Sequence, residues 1–241
     1  MTKNKIELYA DGIGFVELVD SMGSDLSVVN SARVSFGKSK ESLDSKDEKL
    51  IRYLIRHKHT STLEHCFVTF RIKVPVFVRS QHHRHRTWSY NEISRRYTDF
   101  DVSFYETKKL RTQHKSNRQA SNSENINPKI EIEVGQGDIS GNYFGDASKV
   151  IKAWHRDSLN LFDALLEAGV CREQARGVLP QNMYTEYYAS ANLNNILKFI
   201  DLRDHGGAQW EIQEMAKGML EIVSNLFPVT VREYKELKVG V

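Results

Sequence analysis

Residues 66–74 read CFVTFRIKV, a run in which every second side chain is apolar. Because successive side chains of a β-strand point to opposite faces, these apolar side chains share one face. They are Cys66, Val68, Phe70, Ile72 and Val74. The alternation predicts a half-buried strand, which Pro75 interrupts or ends because proline has no N–H to donate to a neighbouring strand.

Helical spacing of apolar residues predominates on both sides of this strand. The sequence Ser45-Lys46-Asp47-Glu48 fits a capping box, so a helix is predicted to start there and to end near residues 56–58. Other predicted helices cover about 25–33, 148–168, 172–178, 193–199 and 208–226, and Pro228 is expected to stop the last one. Short strands are predicted at 6–10 and 15–20. The pattern indicates an α+β fold, with long helices packed on a modest, antiparallel sheet.

The segment 108–146 differs from its surroundings. It is rich in Ser, Asn, Gln, Lys and Gly and has few apolar residues. This composition predicts a mobile insertion, with one short strand at 130–134. We expect a single domain over residues 1–241 that contains this insertion.

Composition excludes several classes of protein. No apolar run approaches the roughly 20 residues that cross a bilayer, and the first residues do not resemble a signal peptide, so we expect a cytoplasmic protein without membrane contact. The two cysteines, Cys66 and Cys171, form neither a disulfide framework nor a zinc set. A formal net charge of +3 is too small to indicate nucleic-acid binding by itself.

The chemistry is concentrated in residues 81–97, which read QHHRHRTWSYNEISRRY. Four arginines, three histidines and three aromatic residues fall within these seventeen positions. Arginine forks suit phosphate groups, because two N–H groups meet two oxygens. Flat aromatic faces suit a nucleobase or a flavin. The segment therefore predicts a pocket for a planar, phosphorylated ligand.

A second interpretation comes from another functional class. The same composition is typical of a surface that binds RNA or single-stranded nucleic acid by stacking and charge. The residues that would form this surface are Arg84, Arg86, Trp88, Tyr90, Arg95 and Arg96. The order of the residues, and not their composition, separates the two interpretations.

That order resembles the signature of the flavin-dependent thymidylate synthase (ThyX) family. Arg84-His85-Arg86 is followed after seven residues by Ser94, and Gln81 stands in the expected place upstream. The likeness continues through most of the chain, in segments 14–20, 32–36, 57–61, 63–65, 89–92, 96–97, 175–180 and 208–212, and at Asn192 and 202–203.

The resemblance implies a function and a set of ligands. Members of this family bind FAD and methylate dUMP to dTMP, with methylenetetrahydrofolate as carbon donor and NADPH as reductant. They are homotetramers whose active sites are shared between subunits, and they use no enzyme nucleophile. Hydroxymethylation of the same base is a nearer alternative that the sequence does not separate from methylation.

The resemblance also assigns roles by position. The residues expected to bind FAD are His59, Ser61, Arg84, His85, Arg86, Glu92, Asn192, Asn194 and Lys198. Those expected to bind dUMP are Gln81, His82, His83, Arg84, Glu92, Ile93, Ser94, Arg95, Arg96, Arg176 and Arg203. Arg203 is the expected catalytic residue, since a fixed cation at the uracil edge would make C5 more nucleophilic.

The chain departs from the family pattern in two places within these motifs. Lys198 replaces an expected Asn, and Trp88 is bulkier than the residue expected there. Ser94 has no triad partners in the sequence around it, so we expect it to donate or accept a hydrogen bond and not to attack. The histidine spacings match no zinc signature, and no metal is expected.

Overall fold

The structure is a computed structural model that describes residues 4–107, 110–118, 120–136 and 139–239. Its strands are β1 (Lys5–Glu7), β2 (Phe15–Met22), β3 (Phe67–Pro75), β4 (Ser89–Glu92), β5 (Leu110–Gln113), β6 (Ser121–Ile126), β7 (Lys129–Gln136), β8 (Ile139–Asp146) and β9 (Tyr184–Asn192). Its α-helices are α1 (Asp25–Arg33), α2 (Ser45–Arg56), α3 (Val76–His82), α4 (Ala147–Glu167), α5 (Arg172–Ala175), α6 (Leu193–Arg203), α7 (Trp210–Leu226) and α8 (Pro228–Val239).

The chain divides into two compact units. The first comprises Met1–Val74, Ser80–Glu92 and Glu186–Val241, and the second comprises Pro75–Arg79 and Ile93–Thr185. The expectation of one domain stays a prediction, and each unit is described by itself. No helix among the described residues is both long enough and apolar enough to cross a bilayer.

The central sheet has the strand order β1-β2-β3-β9-β4. The pairs β1–β2, β2–β3 and β4–β9 are antiparallel, which confirms the α+β class with an antiparallel sheet. The predicted inward face of β3 is fully buried at Val68, Phe70, Ile72 and Val74. Pro75 ends the strand, as its missing N–H predicts.

The start of α2 corrects the predicted capping box by one residue. The helix is capped by Asp44, whose carboxylate accepts hydrogen bonds from the backbone N–H groups of Lys46 and Asp47. The Asp47 side chain accepts in return from the N–H of Asp44 at 3.0 Å. A carboxylate satisfies two of the helix's free N–H groups at once, so the box begins one position before Ser45.

Helix α8 was not predicted from the sequence. Helix α7 ends at Leu226, before Pro228 as expected, and Pro228 then begins α8, because proline is well suited to the first helical position, where its N–H is not needed. The buried carboxylate of Asp25, from α1, accepts from the N–H groups of Val229 and Thr230 and from the Thr230 hydroxyl. The cap therefore comes from a residue about 200 positions away, which local sequence patterns do not reveal.

The second unit contains the segment that was predicted to be mobile. The predicted strand at 130–134 lies within β7, but it is one of four strands, since the described residues form two antiparallel hairpins, β5–β6 and β7–β8. The β7–β8 hairpin contacts α4, and the Tyr143 hydroxyl donates to the carboxylate of Asp157. This contact with α4 leaves Tyr143 half-buried, while Ile132 and Phe144 of the same hairpin remain exposed.

Candidate functional site

The loop between α3 and β4 carries the central cationic motif, and Tyr90 shapes it. The Tyr90 hydroxyl lies 2.9 Å from the carbonyl oxygen of His82 and 3.0 Å from that of His85. The loop also closes on itself, since the His85 N–H donates to the His82 carbonyl at 2.9 Å. Burial raises the pKa of the Tyr90 phenol, so this hydroxyl remains a donor. The loop therefore has a defined conformation.

His82 lies inside the first unit and is fully buried. Its Nδ1 is 2.9 Å from the Tyr187 hydroxyl, and its ring is surrounded by Trp88, Tyr90 and Phe199. Burial, followed by the charge of neighbouring groups, lowers the pKa of His82 far below its ordinary value. This neutral ring supports the loop from behind, and its predicted contact with substrate stays a prediction.

Arg203, the last residue of α6, reaches the loop. Its Nε–H donates to Nε2 of His85 at 3.2 Å. Burial, and then the charge of Arg203, lower the pKa of His85 to about 4. Burial, and then repulsion from Arg84, lower the pKa of Arg203 itself. The site thus holds two neighbouring guanidinium groups, and an anionic ligand would relieve their repulsion.

The two arginines of the loop, Arg84 and Arg86, face solvent. His83 is half-buried, with its ring 4.1 Å from that of Tyr90. Exposed guanidinium groups on an ordered loop are well suited to phosphate oxygens.

Gln81 belongs to a hydrogen-bonded chain that the sequence analysis did not identify. Its Nε2 donates to Oε1 of Gln209 at 2.6 Å, and Nε2 of Gln209 donates to Oε2 of Glu211 at 2.9 Å. Glu211 is buried. The sequence does contain a signal for this chain of hydrogen bonds: a Gln and a Glu stand two positions apart at the start of an amphipathic helix.

Three predicted flavin residues line one cavity of about 270 Å³ in the first unit: His59, Asn194 and Lys198. The remaining wall is mainly aliphatic, from Val28, Ile51, Leu54, Ile55, Leu63 and Leu197. Asn194 is buried and donates to the Glu64 carboxylate at 2.9 Å. The cavity combines apolar walls with polar groups, two lysines (Lys58 and Lys198) and the carboxylate of Asp201, which suits an aromatic ligand with polar substituents.

Ser61, Asn192 and Glu92 are the other predicted site residues of the first unit. Ser61 is exposed in the short 3-10 turn Thr60–His65, and Asn192 caps α6 by accepting from the Asn195 N–H at 3.0 Å. Glu92 ends β4 and is half-buried.

The predicted nucleotide-binding residues of the second unit are Ile93, Ser94, Arg95, Arg96 and Arg176. Arg95 is buried and donates to the carbonyl oxygens of Phe100 and Asp101 at 2.6 and 3.3 Å, so it organises its own loop. Ser94 Oγ accepts from the Arg96 N–H at 3.3 Å, and Ile93 is half-buried. Arg96 and Arg176 are exposed.

The nucleic-acid interpretation required an exposed stacking surface, and the structure does not provide one at the predicted residues. Trp88 is only 7% exposed and stacks on Phe70 with ring centroids 6.3 Å apart. Arg95 is also buried, and Tyr90 is half-buried. The bulk of Trp88 therefore fills the core and does not extend the site.

Neither cysteine is placed as a nucleophile. Cys66 is fully buried, and burial raises the pKa of its thiol to about 11. Cys171 is exposed, and its Sγ lies 3.6 Å from Oε1 of Gln174. Among the described residues, no group of three or more His, Cys, Asp or Glu side chains converges as a metal site.

Comparisons with known proteins identify the family. The family model described as "Thymidylate synthase complementing protein" matches residues 17–229. The flavin-dependent thymidylate synthase of Thermus thermophilus is 40% identical over 223 residues, which is 92% of this chain and 76% of the relative. That of Kosmotoga olearia is 38% identical over 221 residues, covering 92% and 90%.

A solved structure is also similar. The UMP/dUMP methylase PolB from Streptomyces cacaoi, bound with 5-Br dUMP, aligns with a TM-score of 0.76 and 33% identity, over 96% of this chain and 97% of that chain. The fold and the site define a nucleotide-modifying enzyme. The chain belongs to the flavin-dependent thymidylate synthase family. These matches do not support the nucleic-acid-binding alternative.

Proposed function

We propose that this enzyme converts dUMP to dTMP by reductive methylation, with FAD as its flavin, methylenetetrahydrofolate as carbon donor and NADPH as reductant. The observation that carries the proposal is the position of Arg203, held against His85 at 3.2 Å and next to a second cation, Arg84. Such a pair favours an anionic ligand. The relative PolB, bound with 5-Br dUMP, indicates which kind of anion.

We propose that the cavity beside α6 holds part of the cofactor. Its aliphatic walls suit a ring system, and Lys198 at its edge suits a phosphate, although an Asn was expected there. His59, Ser61, Asn192 and Asn194 would contribute polar contacts, and Arg84, His85, Arg86 and Glu92 would complete the binding set. When bound, the flavin supplies the redox chemistry and carries the one-carbon transfer, while the protein orients and polarises the substrates.

Arg203 is the residue that we assign to activation of the base. A guanidinium group held at the uracil edge would stabilise negative charge on N3 and O4, and this charge makes C5 more nucleophilic. His85 fixes the direction of the guanidinium group before substrate arrives. Because the cation is already oriented, little reorganisation is needed when charge develops.

Nucleotide recognition falls to the other residues of the predicted dUMP set. We propose that Gln81, His83, Ile93, Ser94, Arg96 and Arg176 line the dUMP site directly, with His82 and Arg95 supporting it from buried positions. Exposed arginines bind phosphate with two parallel hydrogen bonds. No thiolate or serine nucleophile takes part, which is consistent with the raised pKa of Cys66.

We also propose a homotetramer in which more than one subunit contributes to each active site. Complementation tests this directly. Arg176→Ala and Arg203→Ala subunits, each inactive alone, should regain part of the activity when dissociated and reassembled together. If the mixed protein has the same mass as wild type in ultracentrifugation but regains no activity, Arg176 and Arg203 of each active site come from the same subunit.

The first experiment is an absorption spectrum of the purified protein, before and after addition of dUMP. We expect flavin bands near roughly 375 and 450 nm that shift when the nucleotide binds, since both ligands share one site. Mass spectrometry of the product then distinguishes methylation from hydroxymethylation. A protein that takes up neither FAD nor dUMP contradicts the proposal.

A further inference from the structure

We infer that Glu211, acting through Gln209, fixes the orientation of the Gln81 side-chain amide and thereby determines which of its atoms meets the nucleotide. The inference rests on the proposed function, because it takes Gln81 to be part of the dUMP site. Glu211 and Gln209 are then positioning residues, and neither needs to touch the substrate.

The three side chains form a continuous relay. Gln81 lies on α3, Gln209 is the N-cap residue of α7, and Glu211 lies in the first turn of α7. The distances are 2.6 Å from Gln81 Nε2 to Gln209 Oε1 and 2.9 Å from Gln209 Nε2 to Glu211 Oε2. The second distance is ordinary for an N–H···O hydrogen bond, and the first is slightly shorter than the usual range.

The direction of the relay follows from the chemistry at its end. An ionised carboxylate only accepts hydrogen bonds, whereas a side-chain amide has one accepting and one donating branch. Glu211 therefore draws the amino group of Gln209 towards itself. The carbonyl of Gln209 is left for Gln81, which must present its own amino group in turn. The carbonyl oxygen of Gln81 consequently lies on the opposite branch, as an acceptor for a donor of the nucleotide.

Without the Glu211 carboxylate at the end of the relay, the orientation of the Gln81 side-chain amide would not be defined. The two branches of an amide have nearly the same shape, so packing alone barely separates one orientation from its flipped form. Polarity is the only property that distinguishes them. Glu211 supplies a polarity that cannot be reversed while its carboxyl group is ionised.

The helix turn that carries Glu211 is itself held in place. Glu211 is only 4% exposed, and its position in the first turn of α7 suits a negative charge near the positive end of the helix dipole. Its backbone carbonyl accepts from the Tyr9 hydroxyl at 3.0 Å, and the Tyr9 ring lies 5.9 Å from that of Trp210. The turn between β1 and β2 thus anchors the fixed end of the relay.

The decisive variants change polarity without changing size. Glu211→Gln replaces the carboxylate, which can only accept hydrogen bonds, at the end of the relay. We expect the KM for dUMP to rise about tenfold, the effect of one lost hydrogen bond. The kcat at saturating dUMP and the FAD content should stay close to wild type. Gln81→Glu places a second carboxylate on the relay, and Gln209 cannot donate towards both. It should weaken dUMP binding as well.

The double variant Gln81→Glu/Glu211→Gln reverses the relay. The carboxylate now stands at position 81, Gln209 turns its amino group towards it, and an acceptor oxygen again faces the nucleotide. We expect dUMP affinity to recover towards wild type, relative to both single variants. A purely structural role of Glu211 predicts no such rescue. Gln213→Met is the matched control, because Gln213 donates to the Ala208 carbonyl at 2.6 Å and lies outside the relay.

The outcomes separate the inference from the proposed function. A KM for dUMP within twofold of wild type in Glu211→Gln, or a double variant that shows only the summed losses of the two single variants, overturns the relay and leaves the enzyme's function intact. Wild-type protein that binds no dUMP overturns both. If Glu211→Gln does not fold, Gln209→Met breaks the relay while Glu211 keeps its contact with Tyr9, and the same rise in KM is expected.

Discussion

Arg203 donates from Nε to Nε2 of His85 at 3.2 Å, and this contact defines the protonation state of the histidine. A guanidinium group has only donors, so Nε2 of His85 must carry its lone pair and the ring proton must be on Nδ1. A charged imidazolium could not accept this hydrogen bond. His85 is therefore a neutral acceptor that orients the proposed catalytic cation.

The titration of His85 is the first prediction. Its pKa is lowered from 6.5 to about 4, by burial first and by Arg203 second. Between these two pH values the unfolded chain binds a proton that the folded chain does not, so the free energy of unfolding rises with pH across this window. Stability contributed by neutral His85 is therefore lost as pH falls from 6.5 to 4. NMR of the His85 ring protons measures the folded value.

The control for this titration is Arg203→Met. Removing the cation should raise the pKa of His85 only part of the way to 6.5, because burial remains as the larger cause. A folded wild-type protein in which His85 titrates near 6.5 would contradict both the burial and the contact.

Arg203→Ala is expected to keep FAD but to lose turnover by about 10²- to 10³-fold, the usual effect of removing one preorganised donor to developing charge. Steady-state kinetics and the flavin absorbance of the same preparation measure the two properties. Arg156→Ala is the control, because Arg156 is exposed on α4 and pairs with its neighbour Asp157. Near-normal turnover in Arg203→Ala would remove Arg203 from the activation of the base.

The cysteines should be dispensable for catalysis. A thiol reagent should modify Cys171 in the native protein and leave Cys66 unreacted, because Cys66 is fully buried and burial raises its pKa to about 11. Replacing both with Ala should keep most of the turnover at a cost in stability of about 1 kcal/mol. Lost turnover in a folded, flavin-loaded double variant would reopen covalent catalysis by a cysteine.

Gly23→Ala should destabilise the protein by about 1–3 kcal/mol, from backbone strain and a steric clash. Gly23 has φ +91°, and a Cβ atom there would lie 2.8 Å from Sγ of Cys66. In the Cys66→Ala background the cost should fall but not vanish, because the strained φ remains. Chemical denaturation of the two single variants and the double variant measures these changes in the free energy of unfolding. Gly206→Ala is the control, since a Cβ at Gly206 meets no atom within 4 Å.

Sequence patterns predicted those elements whose signal is local. The alternation in 66–74 predicted β3 and its buried face, and helical spacing predicted α1 and most of α7. Helix α8 was missed because its cap, Asp25, comes from α1. Within the insertion, the predicted strand at 130–134 lies in β7, whereas β5, β6 and β8 were missed because their residues show no regular apolar alternation.

The order of residues in 81–97 by itself determined the family, since many chemically distinctive side chains recur at fixed spacing. The sequence could also assign Arg203 and His85 to one site, but only by resemblance. The tertiary structure decided the hydrogen-bond partners of those side chains: His85 with Arg203, Gln81 with Gln209 and through it with Glu211, and His82 with Tyr187. These partners lie about 100 or more positions apart along the chain. Burial and hydrogen-bond direction depend on such distant neighbours, and no local pattern encodes them.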